Sequence, residues 1–298
     1  MRRWAAVVVV FLFVGVGCGG GADTWAPAER PPWVVMAGGL GDEWSTGIAA
    51  HADHSTVAVG EFETWLTFGA GQPPERTLTS LGATDGYVVS VRSDGDVRWA
   101  RQVASEGVVK VQGVARLDDG SSVVAGAFES TAAFAYGDLD EVRLTSAGRA
   151  DFFLARFAAD GELLWVRRAM GDGWDEPRAI ATFADGSSVV TGYTQSGGIT
   201  FGPGELGETT LLTDGATGCF TARYASDGQL LWAKLAGGDA TCTGNDVAAL
   251  HGGGSIVEMR VGGTMTVGRG GGGVGGVAAG GWGGWGVGRV GGGGGGGG

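Results

Sequence analysis

The sequence has little of the residue types from which most catalytic and metal sites are built. It contains three histidines and three cysteines in 298 residues, and neither a G-x-S-x-G sequence nor a P-loop occurs. The one cluster with metal-ligand character is His51-Ala52-Asp53-His54, and His251 stands alone. Since these residues offer no histidine-based triad and no three-histidine site, we predict no catalytic residues, no metal and no cofactor.

Basic charge and helical periodicity are also scarce. Lys and Arg number 20 against 32 Asp and Glu, which gives a formal net charge of −12. The cations are scattered along the chain, and this argues against a nucleic acid or an anionic membrane held by charge. No long stretch repeats its apolar residues with the period of a helix.

Only one apolar run is long enough to suggest targeting. Residues 5–16 are apolar and follow Met1-Arg2-Arg3. Twelve residues are too few to span a bilayer core of about 30 Å, but they are typical of the core of a signal peptide. We therefore expect residues 1–18 to direct export.

The end of this run resembles a bacterial lipobox, in which small residues precede a cysteine that becomes the lipidated N-terminus. Residues 14–18 read VGVGC, with Gly15 where such signals usually carry Leu. We predict a lipoprotein signal peptide (1–18), lipidation at Cys18 and a flexible tether (19–32) that anchors the chain to a membrane. Ordinary secretion with cleavage after Ala22 is the alternative.

A unit of about 66 residues recurs along the chain. Its markers are tryptophans, turn Asp-Gly pairs and glycines that keep a step of 66 or 67. They are Trp33, Trp99, Trp165 and Trp232; Asp94, Asp160 and Asp227; and Gly60, Gly126 and Gly192. The repeats occupy residues 33–98, 99–164 and 165–231, with a partial copy at 232–268.

Each unit predicts two β-hairpins. Residues 152–157 and 163–168 flank an Asp-Gly turn at 160–161, and residues 179–183 and 188–193 flank another at 185–186. The segment 200–213 is either an extended loop or an added strand pair. Both faces of FFLARF (152–157) are mostly apolar, which favours strands covered on both sides. Four-stranded antiparallel units stacked face to face, as in an all-β β-propeller, satisfy this pattern.

The units resemble the bacterial β-propeller repeats of the SBBP type, found in tandem in secreted proteins and lipoproteins. The resemblance lies in DGSSVVAGAF (119–128), DGSSVVTGYT (185–194), LTSAGRADFFLARF (144–157) and DGELLWVRRA (160–169). It covers residues 33 to about 268. It implies a propeller-like fold and export to the cell envelope or outer-membrane surface, and it supplies no catalytic residues.

The repeat pattern is lost after Gly268. Residues 270–298 contain twenty glycines, which supply no side chains for a core, so we expect residues 269–298 to be a disordered Gly-rich tail. A shifted reading frame is the interpretation we favour for this tail. Three units and part of a fourth predict an incomplete propeller whose open blade edge associates with other molecules.

Other residues have structural interpretations beside functional ones. Cys219 and Cys242 remain once Cys18 is assigned to lipidation, and in an exported protein such a pair favours a disulfide. Arg101, Arg167 and Lys234 are interpreted as exposed strand positions, with ligand binding as the alternative. The acidic residues after each Trp are interpreted as solvated loops, with partner binding as the alternative; they are Glu43, Asp172, Asp175 and Glu176.

Three functions follow from these expectations. The first is a non-enzymatic, lipid-anchored surface protein whose loops bind a protein or a glycan. The second is an enzyme, either a quinone-dependent dehydrogenase or a lyase, and it requires ionisable residues that converge from several blades. The third is a truncated or frameshifted fragment with no function of its own.

Overall fold

The computed structural model describes residues 8–11, 34–70, 75–213, 217–237, 241–262, 266–267 and 285–290. This part of the chain is all-β and consists of twenty-four strands. Its residues form no helix that is long and apolar enough to cross a membrane. Cys18, the tether and Trp33 lie outside the described residues, as does most of the Gly-rich tail.

The strands follow one another along the chain with short connections. The first eight are β1 (Val8–Phe11), β2 (Val34–Gly39), β3 (Glu43–Ala50), β4 (Thr56–Phe62), β5 (Trp65–Phe68), β6 (Arg76–Thr79), β7 (Asp85–Val91) and β8 (Val97–Ser105). The next eight are β9 (Val109–Arg116), β10 (Ser122–Phe128), β11 (Thr131–Phe134), β12 (Val142–Thr145), β13 (Asp151–Phe157), β14 (Leu163–Met170), β15 (Asp175–Thr182) and β16 (Ser188–Thr194). The last eight are β17 (Gly198–Phe201), β18 (Thr209–Leu212), β19 (Gly218–Tyr224), β20 (Leu230–Gly237), β21 (Thr241–Ala249), β22 (Ser255–Gly262), β23 (Thr266–Val267) and β24 (Trp285–Val290).

These strands form five antiparallel sheets, and none of the sheets closes on itself. The first repeat sheet has the order β3-β4-β7-β8-β11-β12, and the second repeat sheet has the matching order β9-β10-β13-β14-β17-β18. The third repeat sheet is β15-β16-β19-β20-β23. An N-terminal sheet (β1-β2-β5-β6) and a C-terminal sheet (β21-β22-β24) complete the set.

Both predicted hairpins of the repeat form. β13 pairs with β14, and β15 pairs with β16, each across an Asp-Gly turn. Gly161 and Gly186 take φ values of 91° and 80°, a region in which residues with a Cβ are strained. The third segment, 200–213, lies within a strand pair, β17–β18.

This third strand pair joins neighbouring repeats. β17 pairs with β14, although the two strands that precede β17 in the chain, β15 and β16, belong to the next sheet. In the same way, β11 pairs with β8 in the first repeat sheet, although β9 and β10, which precede β11 in the chain, belong to the second. Each repeat thus supplies the outer edge of the sheet before it, so the sheets are interlocked by hydrogen bonds.

The sheets stack with their apolar faces together. All seven residues of β13 are buried. Phe153 packs with Val88 and Val103 of the first repeat sheet, whereas Phe152 packs with Phe220 of the third. Because successive side chains of a strand point to opposite faces, one strand serves two cores. The predicted coverage of both faces is confirmed.

Candidate functional site

The recurring tryptophans join one sheet to the next. The Nε1 of Trp99 donates a 2.9 Å hydrogen bond to the Ala159 carbonyl in the β13–β14 turn. Trp165 donates one of 3.0 Å to the Ser226 carbonyl in the β19–β20 turn. Trp232 packs, partly buried, in the core beside the C-terminal sheet. These indoles are committed to packing.

The recurring arginines are committed in a similar way. The Nε of Arg101 donates to the Gly161 carbonyl at 2.9 Å and lies 3.2 Å from an Asp138 carboxylate oxygen. Arg167 bonds the Gly228 carbonyl and lies 3.3 Å from Glu205. Both side chains are 24% exposed. They connect each sheet to the Asp-Gly turn of the next, a contact that neither sequence interpretation anticipated.

A cleft of about 460 Å³ opens between the turns of the second and third repeat sheets, lined by Asp119, Arg156, Phe183, Asp185 and Asp227 among others. Arg156 donates to Asp119, to the Ser121 hydroxyl and to the Ser226 carbonyl. Burial raises the pKa of Asp119, but the bonds from Ser121 and Arg156 outweigh it and hold the pKa below its usual range. Arg156 and Asp119 are therefore already paired within the second repeat sheet, and the Arg156 bond to Ser226 joins that sheet to the third.

The histidine cluster lies in the first turn of the first repeat sheet. His51 is 9% exposed, and its Nε2 lies 3.1 Å from the Ser122 hydroxyl. Burial lowers the pKa of His51. Asp53 accepts bonds from the backbone and hydroxyl of Ser55, as turn aspartates do. In the described chain no three His, Cys, Asp or Glu residues are placed to hold a metal ion.

Cysteines from two neighbouring sheets form a disulfide. Cys219 on β19 and Cys242 on β21 form a disulfide with Cα atoms 5.2 Å apart. Both are buried among side chains of the third repeat sheet and the C-terminal sheet. The bond fastens the C-terminal sheet to the repeat before it.

The first strands of four successive sheets, β3, β9, β15 and β21, contact one another in that order. Each carries a β-bulge at the same position of the repeat. The bulged residues are Thr46, Gln112, Arg178 and Asn245. Bulges re-aim side chains and are frequent beside functional sites. All four bulged residues are polar.

Charged and aromatic side chains gather beside these bulges. We call them the inner cluster: Trp44, Glu61, Lys110, Trp174, Glu176, Arg178 and Tyr193. The Lys110 Nζ lies 2.9 Å from Glu176 Oε1 and 5.3 Å from the ring centre of Trp174. The Arg178 guanidinium lies 5.2 Å from the ring centre of Tyr193 and 3.9 Å from Glu176.

The first repeat sheet completes the inner cluster. Glu61 on β4 lies opposite Trp44 on β3. Its carboxylate accepts a hydrogen bond from the Val111 backbone of the second repeat sheet, and burial raises its pKa to about 7. Lys110 acts in the opposite direction and lowers this pKa. Burial also raises the pKa of Tyr193. Three sheets therefore contribute ionisable groups to one place.

The sequence interpretation of the acidic residues as solvated loops is wrong for three of the four. Glu43, Asp175 and Glu176 are 5%, 0% and 3% exposed, on β3 and β15. Asp175 accepts hydrogen bonds from Thr194 and Ser196, and burial raises its pKa to about 7. Asp172 alone is exposed. The error arose because acidic residues after a strand are most often in loops, whereas here they begin the next strand.

One sequence signal could have found the inner cluster. Trp44, Lys110 and Glu176 stand one repeat apart and differ completely in chemistry, in units that are otherwise alike. The packing that the repeats share does not dictate the residue type at this position, so its chemistry can differ from repeat to repeat to suit a ligand.

No protein-family model matches the chain, and no curated protein matches it. The resemblance to SBBP-type repeats therefore depends on the quoted residues alone.

Proposed function

We propose that this chain is an exported, lipid-anchored repeat protein of β-propeller type that binds a protein or glycan and catalyses no reaction. The observation that carries the binding role is the inner cluster. Its side chains come from three sheets and combine exposed cations with aromatic rings. A few convergent polar groups beside aromatic side chains are the usual make-up of a ligand site.

The stacking of the sheets supports the propeller type. Two repeat sheets share one strand order, and β3, β9, β15 and β21, which would be the innermost strands of propeller blades, contact one another in sequence. The outer strand pairs connect each sheet to the next. In a propeller the innermost strands surround the axis, which would place the inner cluster at the centre of the assembly.

The N-terminal sequence and the disulfide support export. Cys18 follows a short apolar run, and Cys219 is bonded to Cys242. Disulfides persist in oxidising compartments and are rare in the cytosol. Both features fit a protein anchored outside the cytoplasmic membrane.

Metabolic labelling tests the anchor. The full chain, expressed in a bacterium that processes lipoproteins, should incorporate radiolabelled palmitate. Cys18→Ser should abolish the label, whereas the double variant Cys219→Ser/Cys242→Ser should retain it. Unlabelled wild-type protein would contradict the anchor.

Glycan and peptide arrays test the binding role. The detergent-solubilised full chain should bind a subset of probes, and Trp44→Ala should weaken that binding. Trp44 is 44% exposed, so its truncation should leave the fold intact. Arg116→Ala, which removes an exposed side chain outside the inner cluster, should have no effect. An array without any bound probe would contradict the role.

The same cluster favours an enzyme as the second candidate. Glu61, Lys110 and Tyr193 are ionisable groups from three sheets, as that hypothesis required, and a carboxyl group with a pKa of about 7 can take up a proton near neutral pH. These groups fit the lyase better than the dehydrogenase. Product formation from a bound glycan, abolished by Glu61→Gln without loss of binding, would decide for this candidate.

A further inference from the structure

The exposed charge of the inner cluster is positive, although the chain carries a net charge of −12. The side chains of Lys110 and Arg178 are 38% and 41% exposed, whereas that of Glu176 is 4% exposed. The carboxylate therefore lies beneath the two cations. The groups exposed to solvent here are the ammonium of Lys110 and the guanidinium of Arg178.

The side chains of Lys110 and Arg178 are held in place by two aromatic rings and a buried carboxylate. Lys110 rests near the Trp174 ring and Arg178 near the Tyr193 ring, at cation–π distances. Glu176 lies between them and contacts both. Side chains fixed in this way lose less conformational entropy when a ligand binds.

Lys110 and Arg178 have more N–H donors than the protein acceptors described beside them. An ammonium has three N–H groups and a guanidinium has five, and the guanidinium fork matches a carboxylate. Within the described residues, the ion pair of Arg178 is the one to Glu176 at 3.9 Å, which is too long for a hydrogen bond. The Tyr193 hydroxyl also takes a hydrogen bond from Arg178, which leaves the other N–H groups of the guanidinium to offer to an anionic group.

Two further side chains indicate a hydroxylated ligand. Trp44 presents a 44% exposed indole at the repeat position equivalent to Lys110. Gln112 is the bulged residue of β9 and lies between the strands of Trp44 and Arg178. An indole face suits the apolar face of a sugar ring, and an amide both donates to and accepts from hydroxyl groups.

We propose that the inner cluster binds an acidic saccharide, with the sugar carboxylate on Arg178 and Lys110 and the ring face against Trp44. This inference rests on the proposed binding function and specifies its ligand. Burial raises the pKa of Glu61 to about 7, so its carboxyl group repels an anion less than an ordinary glutamate does at neutral pH.

Isothermal titration calorimetry of the full chain with digalacturonate tests the proposal. Digalactose is the neutral control, and galactose sulfate carries the other anionic group. Digalacturonate should bind at least about tenfold more tightly than digalactose, and Arg178→Gln should weaken it by about tenfold or more. Arg116→Gln should leave it unchanged, and circular dichroism melts should show both variants folded.

The possible outcomes distinguish the acidic-saccharide proposal from the proposed binding of a protein or glycan on which it rests. Equal binding of digalactose, or full binding by Arg178→Gln, would overturn the acidic saccharide while leaving a glycan-binding protein. Tighter binding of galactose sulfate would replace the carboxylate with a sulfate and overturn the assignment. Failure of digalacturonate together with array binding of a peptide would refute the saccharide alone, and failure of every probe would refute both proposals.

Discussion

The indole of Trp99 lies against the Cα atom of Gly161, a residue in the turn of the next repeat sheet. A Cβ built on Gly161 would stand 2.7 Å from Cδ2 of Trp99. Trp165 and Gly228 repeat this contact one unit later, with a corresponding distance of 2.8 Å. The Asp-Gly turn and the Trp recur together because the turn of one repeat fits the Trp of the repeat before it.

Replacing Gly161 by Ala should destabilise the protein by about 2–5 kcal/mol. The φ of Gly161 is 91°, where a residue with a Cβ is strained by about 1–2 kcal/mol. The new methyl group would also overlap the Trp99 ring, and overpacking costs about 1–3 kcal/mol. Equilibrium unfolding in guanidinium chloride measures the loss.

Gly137→Ala is the matched control for this substitution. Gly137 has a φ of 81°, but a Cβ there would meet nothing within 4 Å. It should therefore lose only the backbone term of about 1–2 kcal/mol. Equal losses at Gly137 and Gly161 would mean that the tryptophan contact does not require the glycine.

The hairpins and the apolar strand faces could be predicted because both are local. An Asp-Gly turn between two apolar runs specifies β13 and β14 by itself. The pairing of β17 with β14 could not be predicted, because it joins segments separated by a complete hairpin of another sheet. A periodic sequence defines the length of the unit but does not reveal which strands of neighbouring units share a sheet.

The inner cluster was missed for a related reason. Glu176 is buried because Lys110, one full repeat earlier, reaches it from the neighbouring sheet. The sequence around Glu176 is polar and contains Pro177, which is typical of a loop. Only the stacking of the sheets brings its partner within 2.9 Å.

Replacing Arg223 by Lys should destabilise the protein by about 2 kcal/mol. Arg223 is 9% exposed and donates to the Ser187 hydroxyl, the Asp185 carboxylate and the Gly253 carbonyl. Its guanidinium also lies 3.9 Å from the ring centre of Phe183. A single ammonium cannot reach three divergent acceptors, and each buried acceptor left without a partner costs about 1–3 kcal/mol. Thermal unfolding followed by circular dichroism measures the change.

Arg116→Lys is the control for Arg223→Lys. The Arg116 side chain is 41% exposed and pairs with Asp118, which is 81% exposed. Such surface pairs contribute about 0–1 kcal/mol, so the unfolding temperature should hardly change. A loss as large as that of Arg223→Lys would show that the effect follows from the lysine and not from the buried contacts.

Folding stability should fall as the pH rises from about 4.5 to 7, and Glu61→Gln should reduce this slope. Burial raises the pKa of Glu61 from 4.5 to about 7, so the folded state keeps a proton that the unfolded state has lost. Stability falls with pH wherever the folded state binds more protons. At about 1.4 kcal/mol per pH unit, the full effect is about 3 kcal/mol. Denaturant unfolding at pH 5 and pH 8 gives the slope for both proteins.

Two comparisons make the pH prediction specific. Asp175 acts in the same direction, because burial raises its pKa to about 7 as well, so part of the slope should persist in Glu61→Gln. His51 acts in the opposite direction in both proteins, because burial lowers its pKa and the unfolded state then binds the extra proton. Glu162→Gln, a substitution of an exposed turn residue, should retain the full slope. An unchanged slope in Glu61→Gln would place the proton elsewhere.

Removing the disulfide should loosen the C-terminal sheet and leave the first repeat sheet intact. The bond closes a separation of 23 residues between Cys219 and Cys242, for which loop closure predicts about 3 kcal/mol. The double variant Cys219→Ala/Cys242→Ala should therefore exchange its backbone amides faster in β21 and β22, as measured by hydrogen–deuterium exchange. β7 serves as the internal control, because it packs against neither cysteine. Equal acceleration in β7 would mean that the sheets unfold as one unit and that the bond stabilises the whole stack.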